Sequence, residues 1–183
     1  MKAKKGLLFL LFISCGAVKD NSEITIEQLN KAERVLFFLN KSQNLLRAGQ
    51  YNSALVFVDS AKSYAPNLPE VFFLKGLILD ETNQFQESET AYRRVLSLDP
   101  GYKGAWFNLG NNALLLREFN SALQYYKNEL KDNQTAAVYE KIAITYANIY
   151  EQELAENNAI EAIKLDSLYA PAHILLGRIY RDE

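Results

Sequence analysis

One phrase recurs along this chain: a large residue followed four positions later by a small one. The large residues are Phe38, Phe72, Trp106, Tyr139 and His173, and the small ones are Ser42, Gly76, Gly110, Ala143 and Gly177. The copies fall at a period of 34 residues, with the third unit one residue short in the turn Lys131-Asp132-Asn133-Gln134. Such self-similarity restricts the fold to a stack of like units. In the third copy Trp106, Leu109, Gly110 and Ala113 sit at i, i+3, i+4 and i+7, one face of a helix. Glycine inside a helix costs roughly 1 kcal/mol against alanine. It is expected there only if a second helix crosses too closely for a side chain.

The second helix of each unit is legible in the same way. A second small residue follows the first at Ala54, Ser88, Ala122 and Ala155, and an aromatic precedes it at Tyr51, Phe85 and Phe119. Breaks fall at Gly49-Gln50, Asn83-Gln84, Arg117-Glu118 and Tyr150-Glu151. Pro66 and Pro100 close the first two units, Gln134 and Ser167 the next two. No alternating strand pattern occurs, so the expected class is all-α.

These residues resemble the tetratricopeptide repeat family over about Val35 to Glu183. The resemblance implies an α-solenoid of antiparallel helix pairs, with repeats near 35–68, 69–102, 103–135 and 136–169 and a capping helix over 170–183. Within a repeat domain of 24–183, Thr25 and Gln28 fit a capping box, with Ile24 and Leu29 as its staple. The first helix is therefore expected from Ile26 to about Ala48. Lys41 and Lys75 stand where the family has leucine, and Leu74 is expected to take over the packing in the second copy. Gln152 stands where an aromatic is expected, which predicts looser packing of the fourth second helix.

The chain begins differently. Lys2, Lys4 and Lys5 precede an apolar run from Gly6 to Ile13, shorter than the roughly 20 residues a spanning helix needs and of the kind found in secretory leaders. Phe12-Ile13-Ser14-Cys15-Gly16 resembles a bacterial lipobox. That resemblance implies a signal peptide over 1–14 and a diacylated Cys15, with 15–23 as a short tether. The expected location is a bacterial envelope membrane, facing the periplasm, with the outer membrane favoured. Cys15 is the sole cysteine, so no internal disulfide forms.

Composition removes several function classes. Net charge is −2, and without the first fourteen residues 17 basic residues face 22 acidic ones, or −5. Nucleic acid needs a basic face, so it is not an expected partner. A single histidine excludes a site built on several imidazoles, and no phosphate loop, nucleophile elbow or metal-ligand spacing appears. No catalysis, cofactor or metal is expected, and His173 is assigned to packing.

By the family resemblance, the first helix of each pair lines a concave groove. The positions carried over are Leu39, Asn40, Gln43 and Arg47, then Phe73, Leu77 and Asp80, then Phe107, Asn108 and Asn111, then Glu140, Ile144 and Asn148, with Arg178 on the cap. Asparagine offers both a donor and an acceptor to an extended backbone. The Lys and Asn clamp that chaperone-binding members use for a C-terminal carboxylate is absent, since Leu39, Gln43 and Leu74 stand at those positions. The expected function is a membrane-tethered adaptor or scaffold that binds a partner segment in this groove, in assembly or secretion of envelope components. The alternative is a self-associating structural lipoprotein that forms homo-oligomers.

Overall fold

The structure, a computed structural model, describes residues 30–181. The expected signal peptide, Cys15, the tether, Thr25 and residues 182–183 lie outside them. Every regular element among the described residues is a helix, and the residues fall into two units, up to Pro66 and from Asn67 onward.

The first unit holds α1 (Lys31–Arg47) and α2 (Tyr51–Tyr64). The start of α1 corrects the sequence reading. Asn30 is the N-cap, in extended backbone, so no helix runs unbroken from Ile26. The Asn30 carboxamide accepts the Ala32 and Glu33 amides, and Glu33 accepts the Asn30 amide in return. A carboxylate in that box also meets the positive end of the helix, which the Thr25–Gln28 pair does not offer. The two helices run antiparallel. Phe38 stacks on Tyr64 at 5.8 Å, and at the other end Ser42 Oγ donates to the Ala54 carbonyl at 2.8 Å.

The second unit holds α3 (Pro69–Glu81), α4 (Phe85–Leu98), α5 (Ala105–Leu115), α6 (Phe119–Glu129), α7 (Ala136–Asn148), α8 (Gln152–Leu165) and α9 (Ala170–Arg181). They form three successive hairpins and a final single helix. Pro69 opens α3 at a position where its missing N–H would have no partner.

One turn joins the two helices of every pair. Gly49, Asn83, Arg117 and Tyr150 all take positive φ, between 57° and 70°. In the turn after α3 the Gln84 amide donates to Leu79 O and the Asn83 amide to Asp80 O. The same two bonds recur at Gln50 and Gly49, Glu118 and Arg117, and Glu151 and Tyr150. This Schellman pattern satisfies carbonyls that the ending helix leaves open. The left-handed residue comes one position early in the last interval, matching the shortened third unit.

The core lies between the helices of each pair and, within the second unit, between neighbouring pairs. Val71, Ile78, Val95 and Leu109 are at most 1% exposed, and each such burial stabilises by about 1.5–3 kcal/mol. The glycines of the recurring phrase serve the close crossing. A Cβ on Gly76 would stand 2.6 Å from the Tyr92 ring, and one on Gly110 would stand closer still to Tyr126. Both tyrosines are completely buried. Leu74 is 8% exposed and takes the packing that Lys75 cannot.

Candidate partner-binding surface

The first helices carry the predicted groove residues, and the structure distributes them unevenly. Asn40, Gln43 and Arg47 are exposed along α1. In the second unit the large side chains are drawn inward. Phe73 packs on Tyr92 and Tyr102 at 5.7 and 5.0 Å, and Phe107 on Tyr126 at 5.9 Å. Leu77 and Ile144 lie half-buried against apolar clusters. Asn108 is half-buried. Asn111 is occupied, because its Oδ1 accepts the Tyr126 hydroxyl at 2.9 Å. Glu140 is 6% exposed, with Lys141 Nζ at 3.3 Å.

Asn148 and Arg178 come together. They line a cleft of about 350 Å³ between the α7–α8 turn and α9, with Ala147, Tyr150, Gln152, Leu175 and Ile179. Asn148 is exposed, and its Nδ2 donates to Ile144 O at 2.8 Å, which leaves its Oδ1 free for a ligand. The cleft opens where the repeat departs from its own pattern. Tyr51, Phe85 and Phe119 begin the other second helices, and Gln152 begins α8. Its Oε1 is buried and accepts no hydrogen bond within the described residues. A buried acceptor without a donor costs about 1–3 kcal/mol, which marks α8 as the less completely satisfied second helix. The cleft therefore offers an acceptor at Asn148 Oδ1, a cation at Arg178 and an apolar floor of Ala147, Leu175 and Ile179.

Two polar assemblies were not singled out by sequence. Asp80 accepts the Tyr92 hydroxyl at 2.6 Å, Asn112 Nδ2 at 2.8 Å and the Ser88 hydroxyl, which ties α3, α4 and α5 together. Burial, and after it the Asp80 charge, pushes the Tyr92 hydroxyl far above the ordinary tyrosine value. Burial followed by the Glu140 charge raises Tyr126 likewise. The second assembly is a helix cap supplied from another helix. Glu129, 3% exposed, accepts the Gly104 amide at 2.8 Å and the Phe107 amide at 3.2 Å at the start of α5. Gly104 has no side chain to do this itself. Nothing local marks the pairing, since the partners lie more than twenty residues apart in sequence.

His173 is exposed at the start of α9, and its Nε2 lies 2.9 Å from the Ser167 carbonyl. Among the described residues no cluster of three His, Cys, Asp or Glu is placed to hold a metal. No described helix is long and apolar enough to cross a membrane.

The family model described as tetratricopeptide repeat matches residues 69–102, the α3–α4 pair with its flanking turns. This helix pair is a tetratricopeptide repeat. The repeat fold is shared with MamA from Desulfovibrio magneticus RS-1, at a TM-score of 0.73 and 23% identity over 81% of this chain and 85% of that one. YrrB, described as a TPR protein with an unusual peptide-binding site, superposes at a TM-score of 0.64 with 18% identity, covering 79% and 75% of the two chains. In sequence, the mouse (Mus musculus) protein named Protein O-mannosyl-transferase TMTC1 is 29% identical over 125 residues, 63% of this chain. The chain spans 13% of the length of that relative.

Proposed function

We propose that the protein is an adaptor held on a bacterial envelope membrane by acyl chains on Cys15, and that it binds an extended segment of a partner protein along its first-helix face. The anchoring point is the cleft beside Asn148. The observation that carries this reading is the cleft that brings the exposed Asn148 and Arg178 together over an apolar floor. An extended backbone supplies what each group lacks: an N–H for Asn148 Oδ1, a carbonyl or carboxylate for Arg178, and a side chain for the apolar floor. Tetratricopeptide folds serve as interaction scaffolds, and the solved relative YrrB is itself described by a peptide-binding site. No catalytic step is assigned. The transferase activity named for the mouse relative belongs to a protein of which this chain spans a small part. For the anchor, two or three acyl chains hold firmly, at about 0.8 kcal/mol per buried methylene.

The test joins anchor and site. A photo-crosslinking amino acid replaces Tyr150, an 87% exposed residue at the cleft rim, and in a control it replaces Leu168, 88% exposed and away from it. Irradiation of native membranes should give a discrete adduct from position 150 and none from 168. Cys15→Ser should move the protein out of the membrane fraction. Equal adducts from both positions would remove the cleft, and unchanged fractionation of Cys15→Ser would remove the lipid anchor.

A further inference from the structure

Among the described residues, the helix pairs differ in what opens the second helix. Tyr51, Phe85 and Phe119 open it in the first three pairs, each half-buried, and Gln152 opens it in the fourth. In the third pair the Arg117 guanidinium lies over the Phe119 ring, 5.8 Å from its centroid, so the turn residue and the ring pack on each other. In the fourth pair Tyr150 takes the place of that arginine and stands 87% exposed, with a carboxamide two residues on instead of a ring. The cleft of about 350 Å³ beside Asn148 opens there, bounded by side chains of α7, α8 and α9. Its origin is thus residue 152, inside the α7–α8 pair, and not the outer face of the last helix.

We propose that this cleft takes an aromatic side chain of the partner segment, with a carboxylate close beside it in that segment. The inference rests on the adaptor reading above and adds the chemistry of what binds. The volume lies at the small end of ligand cavities and suits one large side chain. Ala147, Leu175 and Ile179 give it an apolar floor, against which a ring buries a large area. The chain itself fills the matching position with a ring in its other three pairs. Arg178 on the wall offers an incoming ring the cation that Arg117 gives Phe119, and the Tyr150 ring at the rim adds a second aromatic surface. The carboxylate follows from charge, because Arg178 is the one charged side chain that lines the cleft among the described residues. A planar guanidinium stacks by its face and binds a carboxylate by its edge, so a single arginine serves both groups. Glu151 and Glu153 are exposed and outside that lining, and Asp182 and Glu183 follow Arg178 in the sequence. Acid of the chain's own is therefore at hand, and the ring carries more of the binding than the carboxylate.

The test reads ring and charge separately. A fluorescein-labelled peptide, Gly-Ser-Phe-Gly-Glu-Gly-Ser, is titrated against the full chain solubilised in detergent and followed by fluorescence polarisation. It should bind saturably, and leucine in place of its phenylalanine should weaken binding by about tenfold or more. Gln152→Phe puts the chain's own ring in the cleft and should abolish binding, with a Tm equal to or above that of wild type. If that variant folds poorly, Arg178→Glu decides instead: it should weaken the glutamate peptide and prefer one with lysine in its place. Absence of saturable binding, equal binding of the phenylalanine and leucine peptides, or undiminished binding to a folded Gln152→Phe would overturn the proposal. An unchanged charge preference in Arg178→Glu would overturn the carboxylate. Photo-crosslinking from position 150 in native membranes separates two kinds of failure. If the peptides show no ring preference but the adduct forms, the adaptor reading stands and this chemistry falls. If no adduct forms either, the adaptor reading falls with it.

Discussion

Tyr92 lies so close over Gly76 that a methyl group added to the glycine would stand 2.6 Å from the ring. The same residue type, in the same phrase, therefore has opposite roles along the chain. Gly76→Ala should lower stability by about 1–3 kcal/mol through overpacking, although alanine is the better helix former. Gly177→Ala should raise it by about 1 kcal/mol, since only the intrinsic helix preference changes. Urea unfolding followed by circular dichroism reads both, and equal signs would contradict the assignment.

Glu129 gives a prediction that no local rule provides. Its carboxylate serves the Gly104 and Phe107 amides and also accepts Asn133 Nδ2 at 2.7 Å. Glu129→Ala should cost about 2–3 kcal/mol, as three donors lose a charged acceptor. Glu129→Gln, which keeps an oxygen there, should cost less. Hydrogen exchange should accelerate first in the opening turn of α5.

Alkaline pH acts through the buried tyrosines. Tyr92 is held protonated in the folded chain by burial and by Asp80. In the unfolded chain it releases its proton near pH 10. Below that pH both states carry the proton and the full stability is present. Above it the unfolded state is favoured by losing the proton, so stability falls as pH rises. Tyr92→Phe removes that linkage, at the cost of the hydrogen bond to Asp80. Its stability should decline less steeply between pH 10 and about 12 than that of wild type.

The left-handed turn residues offer an easy stabilisation. Tyr150 takes φ 63° with its side chain 87% exposed, so little packing offsets the backbone cost. Tyr150→Gly should raise stability by about 1 kcal/mol, the scale of the penalty for a side chain in this conformation. A lowered Tm would show that Tyr150 contributes packing in solution.

The helix pairs and their turns were readable because each rests on local spacing. Gly49 and Asn83 announce a left-handed turn by residue type, whereas Arg117 and Tyr150 do so only by standing in register with them. The first helix start was misplaced because Thr25–Gln28 and Asn30–Glu33 have the same spacing, and sequence alone does not rank two boxes five residues apart. Gln152 was legible as a departure, and the structure places a cleft and an unpaired oxygen there. Other groove positions were read from register alone. Register does not say that Asn111 is engaged by Tyr126 or that Glu140 is covered, because both depend on what the next helix brings.

The most direct measurement is a crosslinked pull-down from detergent-solubilised native membranes, comparing wild type with Asn148→Lys, Arg178→Glu. Both side chains are exposed, so the fold should be retained. The account predicts a protein captured by wild type and lost from the variant, with equal helix content in the two. The same protein captured equally by both would contradict it.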